Sequence, residues 1–129
     1  MVETKKYITL QDLEVYKLSY ELSKIGWEIY SAMDWQTRKI IGDQFITSID
    51  SVGANIAEGY SRFHYLDKIK FYYNARASLA ESIDHWTQLL LERKLIDEAL
   101  YSKMKEKGKK LSIKLNNFIS STYKVKASQ

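Results

Sequence analysis

Cysteine and proline are both absent from this chain of 129 residues, and glycine occurs only five times. Without cysteine there is no disulfide framework, no thiolate metal site and no thiol nucleophile, a composition that fits a reducing compartment. Without proline, and with little glycine, the chain lacks the residues that divide an all-β protein into short strands. The composition therefore favours long helices, and we expect a cytoplasmic location.

Long apolar runs are also missing. No stretch approaches the ~20 apolar residues that a membrane-spanning helix needs, and no apolar segment follows a basic start as in a secretory signal. We therefore expect neither membrane insertion nor export. With 129 residues and 45% hydrophobic content, the chain is long enough for one core. A single domain over residues 1–129 is predicted.

Histidine is scarce, because His64 and His85 are the only two in the chain. A di-iron site in a helical bundle needs two Glu-x-x-His motifs, and neither histidine follows a glutamate at that spacing. Glu81 and His85 stand four residues apart, but a zinc site needs three or four ligands. No Gly-rich phosphate loop and no Ser/His/Asp set can be identified. The sequence predicts no catalytic residue, no metal and no cofactor, and it argues against an enzyme.

Apolar residues that recur every three or four positions predict four helices. Their predicted ranges are about 10–33, 36–59, 65–93 and 97–123, with Asp97 as the N-cap of the last helix. Short links between long helices predict an all-α fold, an antiparallel up-down-up-down four-helix bundle. In the second helix, Gly42 and Gly53 are interpreted as points of close helix approach, and Gly59 as the C-terminal end.

The first helix has two apolar faces. Its aliphatic stripe suits a bundle core. Because an α-helix turns by about 100° per residue, a second, aromatic set lies on nearly the opposite side of the helix from this stripe. This set consists of Tyr16, Tyr20, Trp27 and Tyr30. A helix of a four-helix monomer normally shows one side to water, and Tyr and Trp are enriched at subunit interfaces. We therefore predict an oligomer interface at these four residues. The alternative is that the N-terminal arm, residues 5–10, covers part of the aromatic face.

Basic residues are concentrated at the C-terminus. Residues 1–99 hold twelve Lys or Arg against fifteen Asp or Glu, a net charge of −3, whereas residues 100–129 hold eight Lys against one Glu, a net charge of +7. Helical spacing predicts one lysine stripe on the fourth helix, formed by Lys103, Lys107, Lys110 and Lys114. Such a stripe suits the sequence-independent binding of a phosphate backbone. A solvated helix face, favoured by the helix dipole, is the alternative.

A polar strip runs along the second helix between its aliphatic and solvent faces, and consists of Gln44, Ser48, Ser51, Asn55 and Glu58. Buried polar groups are costly when unpaired, so we expect partners on the third helix, Ser78 and Glu81. Glu58 and Arg62 are spaced for an ion pair. This strip is interpreted as structural and not as catalytic.

Three segments carry a family resemblance: "LQDLEVYKLSYELSKIGWEIY", "QFITSIDSVGANIAEGYSR" and "KFYYNARASLAESIDHW". They resemble the proteins encoded in intervening sequences of bacterial 23S ribosomal RNA genes, which are often labelled ribosomal proteins because of where the genes lie. The most specific part is Asn55-Ile56-Ala57-Glu58-Gly59 with Arg62, supported by Ala75, Ser78 and Glu81. Gly53 stands where the family often has proline, and Ala54 where it often has a small polar residue.

The resemblance implies a four-helix bundle that assembles as a ring-like homopentamer, with no established catalysis. Similar accessory proteins of retroelement reverse transcriptases bind their polymerase and nucleic acid. The first hypothesis is therefore a non-enzymatic oligomeric bundle that binds RNA or another nucleic acid non-specifically through the lysine stripe. The second is an interaction scaffold that docks a partner protein without nucleic-acid binding.

Overall fold

A computed structural model of the chain describes residues 7–127, which form four helices and contain no strand. Helix α1 spans Glu14–Ser31, and α4 spans Glu98–Ala127. Helix α2 is continuous through three segments, Trp35–Thr37, the π-helical turn Arg38–Gly42, and Asp43–Ser61. Helix α3 likewise runs through Tyr65–Ala80, the π-helical turn Glu81–Trp86, and Thr87–Glu92. The all-α prediction is confirmed.

Helix ends differ from the predicted ranges by a few residues. The first helix starts at Glu14 and not at residue 10, because Leu10–Asp12 form a separate 3₁₀ turn and Leu13 is extended. The second starts at Trp35, one residue before the predicted start. Asp34 is its N-cap, because the Thr37 backbone N–H donates to Asp34 Oδ1 at 2.7 Å. The predicted N-cap at Asp97 is confirmed, since the Leu100 N–H donates to its Oδ1 at 2.8 Å.

Neighbouring helices run antiparallel around one core. As the residue number rises along one helix, the number of the residue it contacts on the next helix falls. The contacts between α1 and α2 are Ser19 with Gly53 and Tyr30 with Asp43, those between α2 and α3 are Ser51 with Ser78 and Gly59 with Tyr72, and those between α3 and α4 are Tyr73 with Tyr123 and Asp84 with Lys105. All four helices bury side chains in the core, including Leu22, Phe45, Tyr72 and Leu111, each at most 2% exposed. The links are three to five residues long, which leaves no room for a parallel crossover.

Close helix approach at the glycines of α2 is confirmed at two positions. A Cβ atom at Gly53 would lie 3.0 Å from Ser19 Oγ of α1, and one at Gly42 would lie 3.2 Å from Tyr30 Cδ2 of α1. The interpretation of Gly59 as a helix end is wrong. Gly59 is buried inside Asp43–Ser61, and no glycine among residues 7–127 has a positive φ. It is required for contact with α3, because a Cβ there would lie 2.7 Å from Tyr72 Cε1.

Helix α3 ends in a Schellman motif with a lysine in the left-handed position. The Leu95 N–H donates to the Leu90 carbonyl at 2.8 Å and the Lys94 N–H to the Leu91 carbonyl at 3.0 Å, with Lys94 at φ 59°. The left-handed backbone conformation destabilises the folded state by about 1 kcal/mol for a residue with a Cβ atom, and glycine avoids this cost. We expect Lys94→Gly to raise the free energy of unfolding by about 1 kcal/mol in urea titrations.

The matched control for this substitution is Lys110→Gly, at an exposed lysine within α4. There glycine has no conformational advantage and is expected to lower the free energy of unfolding by about 1 kcal/mol. Loss of stability in both variants would contradict the assignment of strain to Lys94.

Candidate interaction surfaces

The aromatic set of α1, here called the aromatic strip, consists of Tyr16, Tyr20, Trp27 and Tyr30. Tyr20 and Trp27 are each 59% exposed, whereas Tyr16 and Tyr30 are half-buried at the side facing α2. The Trp27 and Tyr30 rings are stacked with centroids 5.5 Å apart. Among residues 7–127, neither Tyr20 nor Trp27 has a hydrogen-bond partner for its polar atom. The strip therefore leaves two large aromatic side chains uncovered.

Tyr30 is held in place by α2. Its hydroxyl donates to Asp43 Oδ1 at 2.7 Å, and the Arg38 guanidinium lies over its ring, 4.7 Å from the centroid. The hydrogen bond from Tyr30 lowers the pKa of Asp43, and the same bond raises the pKa of Tyr30. Because Tyr30 is fixed by these contacts, Trp27 stacks on a ring whose position is set within the subunit.

The described part of the N-terminal arm does not cover the strip. The Tyr60 hydroxyl donates to the Ile8 carbonyl, and the rings of Tyr7 and Tyr60 are 6.2 Å apart. Tyr60 lies near the C-terminal end of α2, so residues 7 and 8 are bound there while Tyr20 and Trp27 stay exposed. Residues 5 and 6 of the arm lie outside the described residues.

The four lysines of the predicted stripe lie on one continuous helix, but two of them are ion-paired within the chain. Lys107 Nζ lies 3.4 Å from Glu21 Oε2, and Lys114 Nζ lies 3.6 Å from Glu14 Oε1, so both lysines turn toward α1. Lys103 and Lys110 are exposed and form no ion pair with any residue in the range 7–127. The basic helix packs beside a helix with acidic residues on the facing side, and half of the stripe is paired within the chain.

The polar strip of α2 connects to α3 at one point. Ser51 Oγ and Ser78 Oγ are 2.9 Å apart, and Asn55 Nδ2 donates to the Ser51 carbonyl and hydroxyl at 2.9 and 3.0 Å. The expected contact to Ser78 is therefore present. Glu58 and Arg62 form the expected ion pair at 2.5 Å, on the exposed surface.

The expected role of Glu81 between α2 and α3 is wrong. Its carboxylate accepts a hydrogen bond from Trp86 Nε1 at 2.8 Å, within α3 itself. Both residues belong to the π-helical turn Glu81–Trp86, whose wider spacing aligns residues five apart. No α-helical spacing rule relates positions five apart, so the sequence carries no signal for this pair.

Two grooves were not predicted from the sequence. One, of about 610 Å³, lies between α3 and α4. Its lining includes the apolar residues Leu79, Ala80, Ile83 and Ile113 and the charged residues Arg76, Asp84, Lys105, Glu106 and Lys109. The other, of about 500 Å³, lies at the end of the bundle where α2 passes into α3, and the half-buried Lys68 is one of its lining residues. We call them the α3–α4 groove and the end groove. Each groove is lined by residues from different helices that are far apart in the chain. The periodicity of apolar residues within one helix therefore does not predict either groove.

Within residues 7–127, no three His, Cys, Asp or Glu side chains are grouped so that they could hold a metal ion. In the same part of the chain, no helix has the length and apolar character to cross a membrane.

Residues 11–117 match the family model of the 23S rRNA-intervening sequence protein. No curated protein sequence gives a significant match. Among solved structures, one similar protein is a member of the S23 ribosomal protein family with unknown function from Bacteroides thetaiotaomicron VPI-5482. It is 23% identical, with a TM-score of 0.75 over 81% of this chain and 97% of that chain. At this identity the likeness shows a shared fold. The family match extends over most of the four-helix bundle, and the chain belongs to the 23S rRNA-intervening sequence protein family.

Proposed function

We propose that this protein is a self-associating helical scaffold in which a second copy of the chain covers the aromatic strip. The observation that carries the proposal is the 59% exposure of both Tyr20 and Trp27 on a helix whose opposite face is already buried. Large exposed apolar patches mark interaction sites, and Tyr and Trp dominate interface energetics. The homopentamer implied by the family resemblance is consistent with this role.

We place the strip of a neighbouring copy in the α3–α4 groove. The strip lies beside α2, whereas the groove lies between α3 and α4, so the two surfaces are on different faces of the bundle. A contact between two different surfaces repeats head to tail and closes as a ring when the rotation permits. The apolar part of the groove's lining suits aromatic side chains, and Ile113, 52% exposed, would become covered.

Self-association is tested first by mass. Light scattering at micromolar protein concentration is expected to give a molar mass well above the 15.1 kDa of one chain. A monomeric mass under these conditions would contradict the proposal that a second copy of the chain covers the aromatic strip.

Nucleic-acid binding is a second candidate function, supported by the exposure of Lys103 and Lys110, which form no ion pair within the described part of the chain. They are seven residues apart, two turns along one face of α4, about 10 Å along the axis. Surface ion pairs are worth only about 0–1 kcal/mol, so a polyanion could also compete for Lys107 and Lys114. Lysines without base-reading side chains would bind a phosphate backbone without sequence preference.

The nucleic-acid candidate predicts a difference between two pairs of lysines. Changing Lys103 and Lys110 to glutamine should weaken binding to a structured RNA and reduce the slope of log affinity against log salt by about 2. The same change at Lys107 and Lys114 should have a smaller effect, because their charges already face Glu21 and Glu14. Fluorescence anisotropy over a salt series measures both.

Two results would refute nucleic-acid binding: no affinity at low salt, or equal affinity for the wild-type protein and the Lys103/Lys110 variant. Purification without nuclease provides an independent readout. Excess absorbance of nucleic acid in the pure protein supports this candidate, and a specific co-purifying protein supports a scaffold that docks a partner.

A further inference from the structure

The end groove is lined by aromatic rings from four parts of the chain. Tyr60 comes from the last turns of α2, Tyr65 and Tyr72 from the start of α3, and Phe118 from α4, while Tyr7 of the arm lies at one side. The Tyr72 and Phe118 rings are in contact, with centroids 4.8 Å apart. A volume of about 500 Å³ is in the range of small-molecule sites, which are mostly apolar and contain a few placed polar groups.

Lys68 supplies a cation to this groove, and no described residue provides its counter-ion. Its Nζ donates to the Tyr60 carbonyl at 2.8 Å and lies 5.4 Å from the Tyr60 ring centroid. An ammonium group has three N–H donors, so two remain after this bond. No carboxylate within residues 7–127 forms an ion pair with Lys68. Burial lowers the pKa of Lys68, with no contribution from a nearby charge.

Tyr72 adds a neutral donor one helical turn from Lys68. The two positions are four residues apart on α3, so their side chains are neighbours on one face. The Tyr72 hydroxyl makes no hydrogen bond to any residue in the range 7–127, and burial raises its pKa, which keeps it protonated. An ammonium and a phenol on one wall, beside several rings, offer hydrogen bonds to an acid group and stacking to a flat body.

We propose that the end groove binds a small organic anion with an aromatic body, its carboxylate held by Lys68 and Tyr72. Charge-assisted hydrogen bonds are the stronger class, and aromatic rings pack well against the faces and edges of Tyr and Phe. This site is separate from the aromatic strip and does not depend on self-association. It adds a ligand-binding role to the scaffold.

The test uses 2-naphthoate as the anionic probe and 2-naphthalenemethanol as its neutral counterpart. Titration of the 129-residue chain, followed by amide chemical shifts, is expected to show tighter binding of naphthoate and shifts at Tyr60, Lys68 and Tyr72. Lys68→Met keeps the apolar part of the side chain and should weaken naphthoate binding by ~10-fold or more, with the neutral compound unaffected. Lys70→Met, at an exposed lysine on the same helix, should leave both affinities unchanged.

Three results would overturn the site: equal affinity for the two probes, no effect of Lys68→Met on naphthoate, or shifts confined to other parts of the bundle. Lys68 also bonds the end of α2, so the variant is checked by circular dichroism. Tyr72→Phe is a second variant that removes only the hydroxyl and should weaken naphthoate binding several-fold. Unchanged naphthoate affinity in that variant counts against the placement of the carboxylate.

Discussion

Gly59→Ala is expected to lower the free energy of unfolding by about 2 kcal/mol. The added Cβ would meet Tyr72 Cε1 at 2.7 Å, Phe71 Cβ at 2.9 Å and the Lys68 carbonyl oxygen at 3.0 Å. Two of these atoms belong to the backbone or lie next to it, so only a movement of α3 away from α2 relieves the clash. Alanine gains about 1 kcal/mol of helix propensity over glycine, which offsets only part of the cost.

Gly26→Ala is the matched control for this substitution. Gly26 is also a buried glycine within a helix, but its nearest neighbours are the side-chain ends of Ile49 and Ile46, at 3.1 to 3.4 Å. These side chains can shift by a few tenths of an ångström, so the gain in helix propensity should leave stability unchanged or slightly higher. Urea unfolding at one fixed protein concentration compares the two variants. Equal stability would show that α2 and α3 do not need glycine at their contact.

The double variant Tyr20→Glu/Trp27→Glu is expected to weaken self-association by ~100-fold or more. Both side chains are large, aromatic and exposed in the isolated subunit, and a carboxylate buried at either position would lose its hydration. The subunit itself should remain folded, because neither side chain is part of the buried core. Sedimentation velocity measures the change in mass, and circular dichroism verifies the helical content.

Phe63→Glu is the control for the strip variant, since Phe63 is 89% exposed in the link between α2 and α3. The same chemical change there should leave the mass of the assembly unaltered. If Phe63→Glu dissociates the assembly as fully as the strip variant, added charge and not the strip controls association.

A mixing experiment separates a head-to-tail ring from a symmetric dimer. Ala80→Glu/Ile113→Glu should disable the α3–α4 groove and also give monomers, because both residues are exposed at that groove. Each variant then keeps the surface that the other has lost, so an equimolar mixture is expected to form a heterodimer of twice 15.1 kDa. A mixture that remains monomeric would exclude pairing between the strip and the groove.

The helical class could be predicted because it depends on local properties. The absence of proline and the three- and four-residue spacing of apolar side chains act within one helix, and the Asp97 cap acts within one turn. The contact between Ser51 and Ser78 was also predictable, because polar side chains next to a core need partners and few were available. The exposure of Tyr20 and Trp27 agrees with the second apolar face read from the sequence.

The functional surfaces were less predictable, since they depend on which helices are neighbours. Lys107 and Lys114 have the spacing of a free stripe, but their charges are paired because α1 presents Glu21 and Glu14 beside them. Gly59 has the sequence context of a helix end, yet the helix continues to Ser61, and the glycine instead allows α3 to pack closely on α2. Glu81 bonds Trp86 across a π-helical turn that α-helical periodicity does not describe.

By itself, the sequence determined the helices, their apolar faces, the N-cap at Asp97 and membership of the family, because these depend on residue identity and spacing along the chain. The tertiary structure alone decided which lysines of α4 are ion-paired, that Gly59 marks a helix contact, and that Lys68 lies among aromatic rings. Residues distant in the chain meet only when helices pack, and their charge, burial and hydrogen bonding are set by that packing.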